Sequence, residues 1–406
     1  MPTISIYPFA NKDYTKFGKS LDFLLDFLHF LINNVDMDYF ISEEQRKLKE
    51  IAARIAQEKI APQRRELDKL DKFPHEILKE LAENGMFKTF IPKDYGGTSA
   101  ATLDLCLAVE EIARVCAGVG TAYAATALAA TPIILFGSES QKSKYLSRIA
   151  EGAIASYGLT ESQAGSDVAG IQTKAVKDGD SYIINGGKQF ITNGGEAEIY
   201  VVFASTNPKR GARGLSAFIV EKGTQGFSFG KLEDKLGIRS AYTRELIFED
   251  CKVPASSILS GEGFGFIVAM RTFDYTRPGV AALSVGVAQG ALDEIMKHRK
   301  TISFERTQFM IAELVAKVEA ARAFVYAVAR HIDSGAKNIS RYSAMSKLFA
   351  SDMAMEVTSK AVEIFGLSGC SEDYPVAKMF RDAKITQIYE GTNEIQKAVI
   401  GRELTR

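Results

Sequence analysis

Apolar residues in this chain change period twice, and that constrains the fold more than any single motif. Up to about residue 150, and again after Phe266, they recur every three or four positions. Between these stretches they fall in short β-rich runs separated by turn residues. A period of 3.6 lays side chains along one helix face, and a period of two lays them on one face of a strand, so neither pattern suits the other structure. The predicted order is helical, β, helical. At 406 residues the chain is also too long for one simple core. The reading is an α+β protein: a helical domain over residues 37–150, a small antiparallel β domain over 151–265 and a helical bundle over 266–406.

Local punctuation supports these divisions. Ser42 with Gln45 makes a capping box, and Leu48, Ile51, Ala52, Ile55 and Ala56 follow on one helix face. Pro62 stops that run, Pro74 opens another, and Gly85 stands where a left-handed cap belongs. Helices are expected over Ala101–Arg114 and Thr121–Phe136, with a second capping box at Ser138 and Gln141. Lys174–Val176 and Ser181–Ile184 flank Asp178-Gly179, a hairpin dipeptide. Tyr200–Ser205, Leu215–Val220 and Glu245–Phe248 read as further strands, and Val280–Lys297, Phe309–Asp333 and Arg341–Phe365 as long helices. No GxGxxG follows a strand and opens a helix, so a Rossmann nucleotide site is not indicated.

Charge excludes other classes. Lys plus Arg and Asp plus Glu both number 50, which gives no support for a nucleic-acid partner or a membrane surface. The 4 cysteines form no CxxC pair and the 4 histidines are scattered, so neither a disulfide framework nor a metal centre is expected; reduced thiols suit a cytoplasmic setting. Leu21–Ile32 is apolar but short and interrupted by Asp22, Asp26 and His29, so it reads as an accessory helix or upstream extension (residues 1–36), not a membrane span.

Four segments hold residue types suited to chemistry. In Tyr157–Asp167, hydroxyls alternate with small residues where helix gives way to sheet. Such a loop admits close backbone approach to a flat or anionic ligand, though alone it is an ordinary polar connection. In Lys188–Gly195, Phe190 can stack on an aromatic ligand beside Thr192, or the run is simply a strand with a Gly-rich turn. In Phe273–Pro278, Arg277 either pairs with Asp274 or reaches a phosphate, and Asp274 or Thr276 equally well caps a helix N-terminus. In Arg381–Glu394, Glu390 precedes Gly391 between two helical runs. A carboxylate at such a break can be aimed into a cleft and desolvated toward the pKa of a general base, yet it is also one of 50 acidic residues.

In this order and spacing the segments resemble the acyl-CoA dehydrogenase family from about Phe40 to Thr405. Thr160-Glu-Ser-Gln-Ala-Gly-Ser-Asp167 is similar to the family's flavin loop. Gly237-Ile-Arg-Ser-Ala-Tyr-Thr-Arg-Glu-Leu-Ile-Phe-Glu249, with Val253-Pro254, is similar to its second β-domain signature, and Ile388-Tyr-Glu-Gly-Thr392 to the segment bearing the base. The resemblance implies a C-terminal four-helix bundle, a homotetramer or homodimer, FAD, an acyl-CoA substrate and an electron-transferring flavoprotein as partner. It implies that Tyr157, Leu159, Thr160, Ser166, Phe190, Ile191 and Thr192 contact FAD, joined by Thr392 and Glu394. Ser166, Asp274, Thr276 and Arg277 match acyl-CoA contacts, and Gly391 lies beside the thioester. Glu390 takes the α proton, its backbone N–H and a flavin hydroxyl bind the thioester carbonyl, and the β hydrogen leaves as hydride to the flavin. Family branches that place the base just before the arginine of the third segment have no counterpart here, because that position is Thr276.

Departures from the family pattern concern the cofactor. Phe190 stands where tryptophan is frequent, and the chain has 0 Trp. The Arg-x-x-Phe-Gly loop that clamps FAD across a dimer interface is shortened to His298-Arg-Lys-Thr-Ile-Ser-Phe304, with Arg299 and Thr301 still alignable. Opposite it, Glu363 replaces a glutamine and Leu367 follows Gly366 in place of a second glycine. Weaker FAD retention is expected, since a carboxylate aimed at a pyrophosphate repels it. Three readings follow: a dehydrogenase, an enoyl-CoA reductase using the same site in reverse, and a flavin-poor acyl-CoA-binding paralogue.

Overall fold

The structure, a computed structural model, describes residues 37, 39–298 and 305–405. The stretch Leu21–Ile32, Arg299 and Thr301 lie outside the described residues.

The N-terminal helices are α1 (Glu43–Ile55), α2 (Arg64–Lys69), α3 (His75–Glu83), α4 (Thr102–Val115), α5 (Ala117–Phe136) and α6 (Glu139–Ala150). Both capping boxes form: Gln45 N donates to Ser42 Oγ at 3.2 Å and Gln141 N to Ser138 Oγ at 3.2 Å, with reciprocal bonds from each cap's backbone. Helix α1 passes through a single π turn, Ala56–Ile60, before Pro62. Helix α5 is, among the described residues, the one helix long and apolar enough to cross a membrane, but 67% of its apolar window is buried inside the protein. It is the core helix against which α7 and the sheet pack.

Strands β1 (Ala155–Gly158), β2 (Lys174–Asp178), β3 (Ser181–Thr192), β4 (Ile199–Ser205), β5 (Leu215–Glu221), β6 (Phe227–Leu232), β7 (Thr243–Pro254) and β8 (Ile258–Leu259) form one eight-stranded sheet in the order β6-β7-β3-β2-β4-β5-β8. The expected antiparallel pattern holds except at its start, where β1 pairs with β4 in parallel and β2 makes one parallel bridge to it. The β2–β3 hairpin turns on Gly179-Asp180, one residue later than the sequence suggests, because Asp178 already pairs with Ser181. Alternation on β4 explains the sheet's two buried faces. Ile199, Val201 and Phe203 join the core shared with the helices, while Tyr200, Val202 and Ala204 join a second core with Phe218, Phe227 and Phe248.

Helix α7 (Gly265–Lys297) begins the C-terminal part, followed by α8 (Glu305–Asp333), α9 (Ile339–Phe365), α10 (Pro375–Ala383) and α11 (Asn393–Leu404). Here one expectation is corrected. Phe273–Pro278 is not a helix N-terminus; it lies inside the 33-residue α7, and Asp274 and Thr276 cap nothing. Pro278 removes the hydrogen bond that the Asp274 carbonyl should accept. The helix continues because Ser343 Oγ on α9 donates to that carbonyl at 2.5 Å, so no buried acceptor is left open.

The second β-domain signature joins the domains. Gly237 sits so close to α10 that an added Cβ would lie 2.4 Å from the Arg381 carbonyl oxygen. Ile238 N donates to Asp382 Oδ1 at 2.6 Å, Arg381 reaches the Leu236 carbonyl at 2.9 Å, and Arg239 pairs with Asp71 at 2.7 Å.

Candidate active site

Two of the singled-out segments are tied to each other beneath the mouth of the sheet. Gln189 N donates to the Thr160 carbonyl at 2.9 Å, and Ser156 Oγ to the Thr192 carbonyl at 2.6 Å. Under them lies a buried ion pair: Lys188 Nζ is 2.7 Å from Glu161 Oε1, and Glu161 also accepts the backbone N–H groups of Gln172 and Thr173. Burial pulls Lys188 down to about 8 against the opposing pull of Glu161. Register slips between Lys188 and Ile191, and in this bulge Phe190 takes φ +59°, a left-handed conformation costly for an aromatic residue. The residue is 55% exposed. Strain and exposure together at one aromatic residue mark a binding surface. Asn193 completes the turn and fastens it to α5, donating to the Ala122 carbonyl at 2.9 Å.

Glu390 approaches the same space from the other side. Helix α10 ends in a short 3-10 turn, Lys384–Gln387, and α11 starts at Asn393 with Thr392 as its N-cap. Between them Glu390 (φ +52°) and Gly391 (φ +92°) both adopt positive φ, which turns the Glu390 carboxyl inward. The φ of Gly391 favours glycine, and an added Cβ would also crowd Gln396 Nε2 at 2.8 Å. Thr276 Oγ1 donates to Glu390 Oε2 at 2.7 Å. Burial pushes the Glu390 carboxyl above the ordinary carboxylate range, and the Thr276 hydroxyl, Arg277 and Lys347 pull it part of the way back. Among the described residues no acceptor takes the Glu390 backbone N–H.

One cavity unites these parts. Tyr157, Leu159, Thr160, Phe190, Ile191 and Thr192 line one side of it, and Thr276, Tyr389 and Glu390 another. Leu105 and Leu128 from α4 and α5, with Leu283 from α7, close it with apolar surface. Those leucines had no sequence signal, since a core leucine and a cavity leucine obey the same periodicity. Ser166 and Glu394 are exposed and outside this lining. Asp274 and Arg277 are buried behind it, paired at 3.5 Å, with Asp274 accepting from Ser340 Oγ at 2.6 Å. Arg277 is 3% exposed and stands beside Glu390 and Gly391. Glu363 and Gly366 are exposed at the far end of α9. Glu363 pairs with Lys360 at 2.6 Å, roughly 24 Å along the helix from Lys347.

The cavity suits a flat ring system bounded by polar groups: Phe190 offers a stacking face, with the hydroxyls of Thr160 and Thr192 beside it. Family models agree with this architecture. The acyl-CoA dehydrogenase N-terminal, middle and C-terminal domain models match residues 42–153, 156–251 and 263–405. The chain belongs to the acyl-CoA dehydrogenase family, whose members are FAD-dependent oxidoreductases. The butyryl-CoA dehydrogenase of Megasphaera elsdenii superposes with a TM-score of 0.89 at 43% identity, covering 91% of this chain and 100% of that one. A chain from a structure of the electron transferring flavoprotein of Acidaminococcus fermentans gives a TM-score of 0.89 at 46% identity, with coverage of 91% and 100%. The NADH-dependent acryloyl-CoA reductase of Anaerotignum propionicum is 42% identical over 381 residues, 91% of this chain and 96% of the relative.

Proposed function

We propose that the protein desaturates an acyl-CoA thioester between its α and β carbons to the trans-2-enoyl-CoA, with Glu390 as the base that takes the α proton. The observation that carries this reading is the Glu390 carboxyl on the wall of a cavity it shares with the exposed ring of Phe190. An α C–H of a thioester is a very weak acid, so its removal needs a positioned base and a donor for the developing enolate oxygen. Glu390 supplies the first. Its backbone N–H, without an acceptor of its own among the described residues, supplies the second. Burial helps twice, since it raises the carboxyl toward neutral pH and strengthens the donor. The leucine wall accepts an aliphatic chain. FAD, when bound, supplies the hydride-accepting chemistry at the β carbon. Thr160, Phe190, Ile191 and Thr192 hold it in this reading, with Tyr157 and Leu159 behind them and Ser166, Thr392 and Glu394 reaching its outer parts.

Electrons then pass to an electron-transferring flavoprotein, which the Acidaminococcus fermentans likeness supports. The working assembly is a homodimer or homotetramer in the cytoplasm. Glu363 and Gly366 are exposed at the far end of α9 and line no part of the cavity, so in this reading any clamp they form, with Arg299 and Thr301, serves a second copy. FAD is retained less firmly than in relatives with the full clamp.

Replacing Glu390 tests the central claim. Glu390→Gln keeps its flavin absorbance and loses turnover by about 10²- to 10⁴-fold; near-normal turnover would remove Glu390 from the role. The likeness to an acryloyl-CoA reductase favours a second reading, the same site run in reverse. Comparing enoyl-CoA reduction with NADH and acyl-CoA oxidation with an electron-transferring flavoprotein separates the two.

A further inference from the structure

Lys347 on α9 is a buried cation that the chemistry above does not use. Its side chain is fully buried, yet its ammonium sits at the N-terminus of α11, where the helix dipole is positive. A second buried cation, Arg277, also faces Glu390. Burial pulls Lys347 down to about 8. Each of these features costs free energy, and packing alone would be served by methionine. What Lys347 gains is specific. Nζ donates to the Gly391 carbonyl at 2.9 Å and to Asn393 Oδ1 at 2.9 Å. Asn393 is held in turn by Ser351 Oγ at 3.0 Å and Asp352 Oδ1 at 2.7 Å, one turn further along α9. Gln396 Nε2 grips the same strand of chain at the Glu390 and Gly391 carbonyls, 3.2 and 2.8 Å away.

We propose that Lys347 is a positioning residue for the base: its ammonium anchors the Gly391 carbonyl, holds Glu390 in its positive-φ conformation facing the cavity, and supplies a positive charge that keeps the carboxylate ionised until it takes the α proton. The inference rests on Glu390 being the base. The charged and titratable groups facing Glu390 are Arg277 from α7, Lys347 from α9, Tyr157 from β1 and Tyr389 from its own loop. Both tyrosines are held protonated by burial, so the positive charge facing Glu390 comes from the two cations, Arg277 paired with Asp274 and Lys347 with Asp352 and Glu394 nearby. Removing Lys347 leaves one of them.

Two variants separate geometry from charge. Lys347→Gln keeps a donor for the Gly391 carbonyl and loses the charge; Lys347→Met loses both. The holoenzyme is assayed for kcat/KM against pH. Alongside, deuterium uptake at the α carbon of acetyl-CoA is followed by NMR, since that thioester has no β carbon to oxidise and so reports the base alone. Loss of the neighbouring charge raises the Glu390 pKa, so the acid limb moves up by half a pH unit or more in both variants. Deuterium uptake falls by about 3-fold or more at pH 6, as a half-unit shift requires, and less at pH 9, and the Met variant has the lower plateau. A pH-independent loss with the limb unmoved overturns the proposal, because a merely structural role predicts that pattern. If Lys347→Met fails to fold, Lys347→Gln alone decides, by the position of its limb. Glu390→Gln run in parallel keeps the two claims apart. Uptake persisting in that variant sinks the base assignment. Its loss there, with a wild-type limb in the lysine variants, sinks only the role of Lys347.

Discussion

Glu390 is kept at a cost to the fold. Its carboxyl is raised above the ordinary carboxylate range, first by burial. A raised acid contributes stability below its unfolded pKa and loses it as pH climbs through the folded value. Above that folded value the native state therefore carries an ionised group it would rather protonate. Glu390→Gln should accordingly unfold at a higher temperature than the wild type at pH 7. That advantage should shrink as pH falls from the raised folded value and be gone below the usual carboxylate range, which calorimetry across pH would measure. A stabilising substitution that also abolishes turnover is the pattern expected of a residue retained for chemistry.

At the scale of elements, the site depends on two irregularities that tertiary partners sustain. Strand β3 bulges to present Phe190 in a left-handed conformation. Phe190→Gly relieves about 1 kcal/mol of backbone strain but adds a similar entropic cost to the unfolded chain. The flavin-stripped variant should therefore melt near the wild type, while flavin binding, read by fluorescence, weakens about 5-fold for want of a stacking face worth roughly 1 kcal/mol. Helix α7 runs through Pro278 because Ser343 occupies the orphaned Asp274 carbonyl. Ser343→Ala leaves that acceptor bare and should cost about 1–3 kcal/mol in urea unfolding.

Across the whole molecule, a few charged residues seat the sheet on the helices. Asp382 accepts the Ile238 N–H and pairs with the buried Lys378, while Arg381 pairs with Asp68 on α2. Asp382→Ala strands a buried ammonium and a buried N–H together, so a loss of about 3–5 kcal/mol is expected. Turnover should fall with it, since the cavity lies between the parts this aspartate joins. Assembly sets the remaining expectation. Leu367 is 92% exposed at the end of α9, next to Glu363, an apolar side chain that a second copy covers in the proposed oligomer. If that end of α9 meets a neighbour's cofactor, Glu363→Gln should lower the fraction of FAD lost on extensive dilution, followed by absorbance. No change would detach Glu363 from the cofactor.

Much of this was legible in the residues themselves. The resemblance to the acyl-CoA dehydrogenase family, not any run by itself, pointed to Thr160–Asp167, Lys188–Gly195 and Ile388–Thr392, whereas the change of period marked the helical and β stretches and the serine–glutamine pairs marked two helix starts. Such features are local: their partners lie within a few positions, so order along the chain suffices to reveal them. Tertiary structure alone decided that α7 continues past Pro278, that Arg277 lies buried beside Glu390, and that Lys347 donates to the Gly391 carbonyl. Each depends on a hydrogen bond or ion pair completed within a buried site, often by a residue far along the chain, such as Ser343 for Asp274 or Lys347 for Gly391. Lys347 did leave a trace, a charge in phase with Ser343, Ala350 and Ala354 on the buried face of α9. Periodicity can register that anomaly, but only the folded chain supplies the carbonyl that explains it.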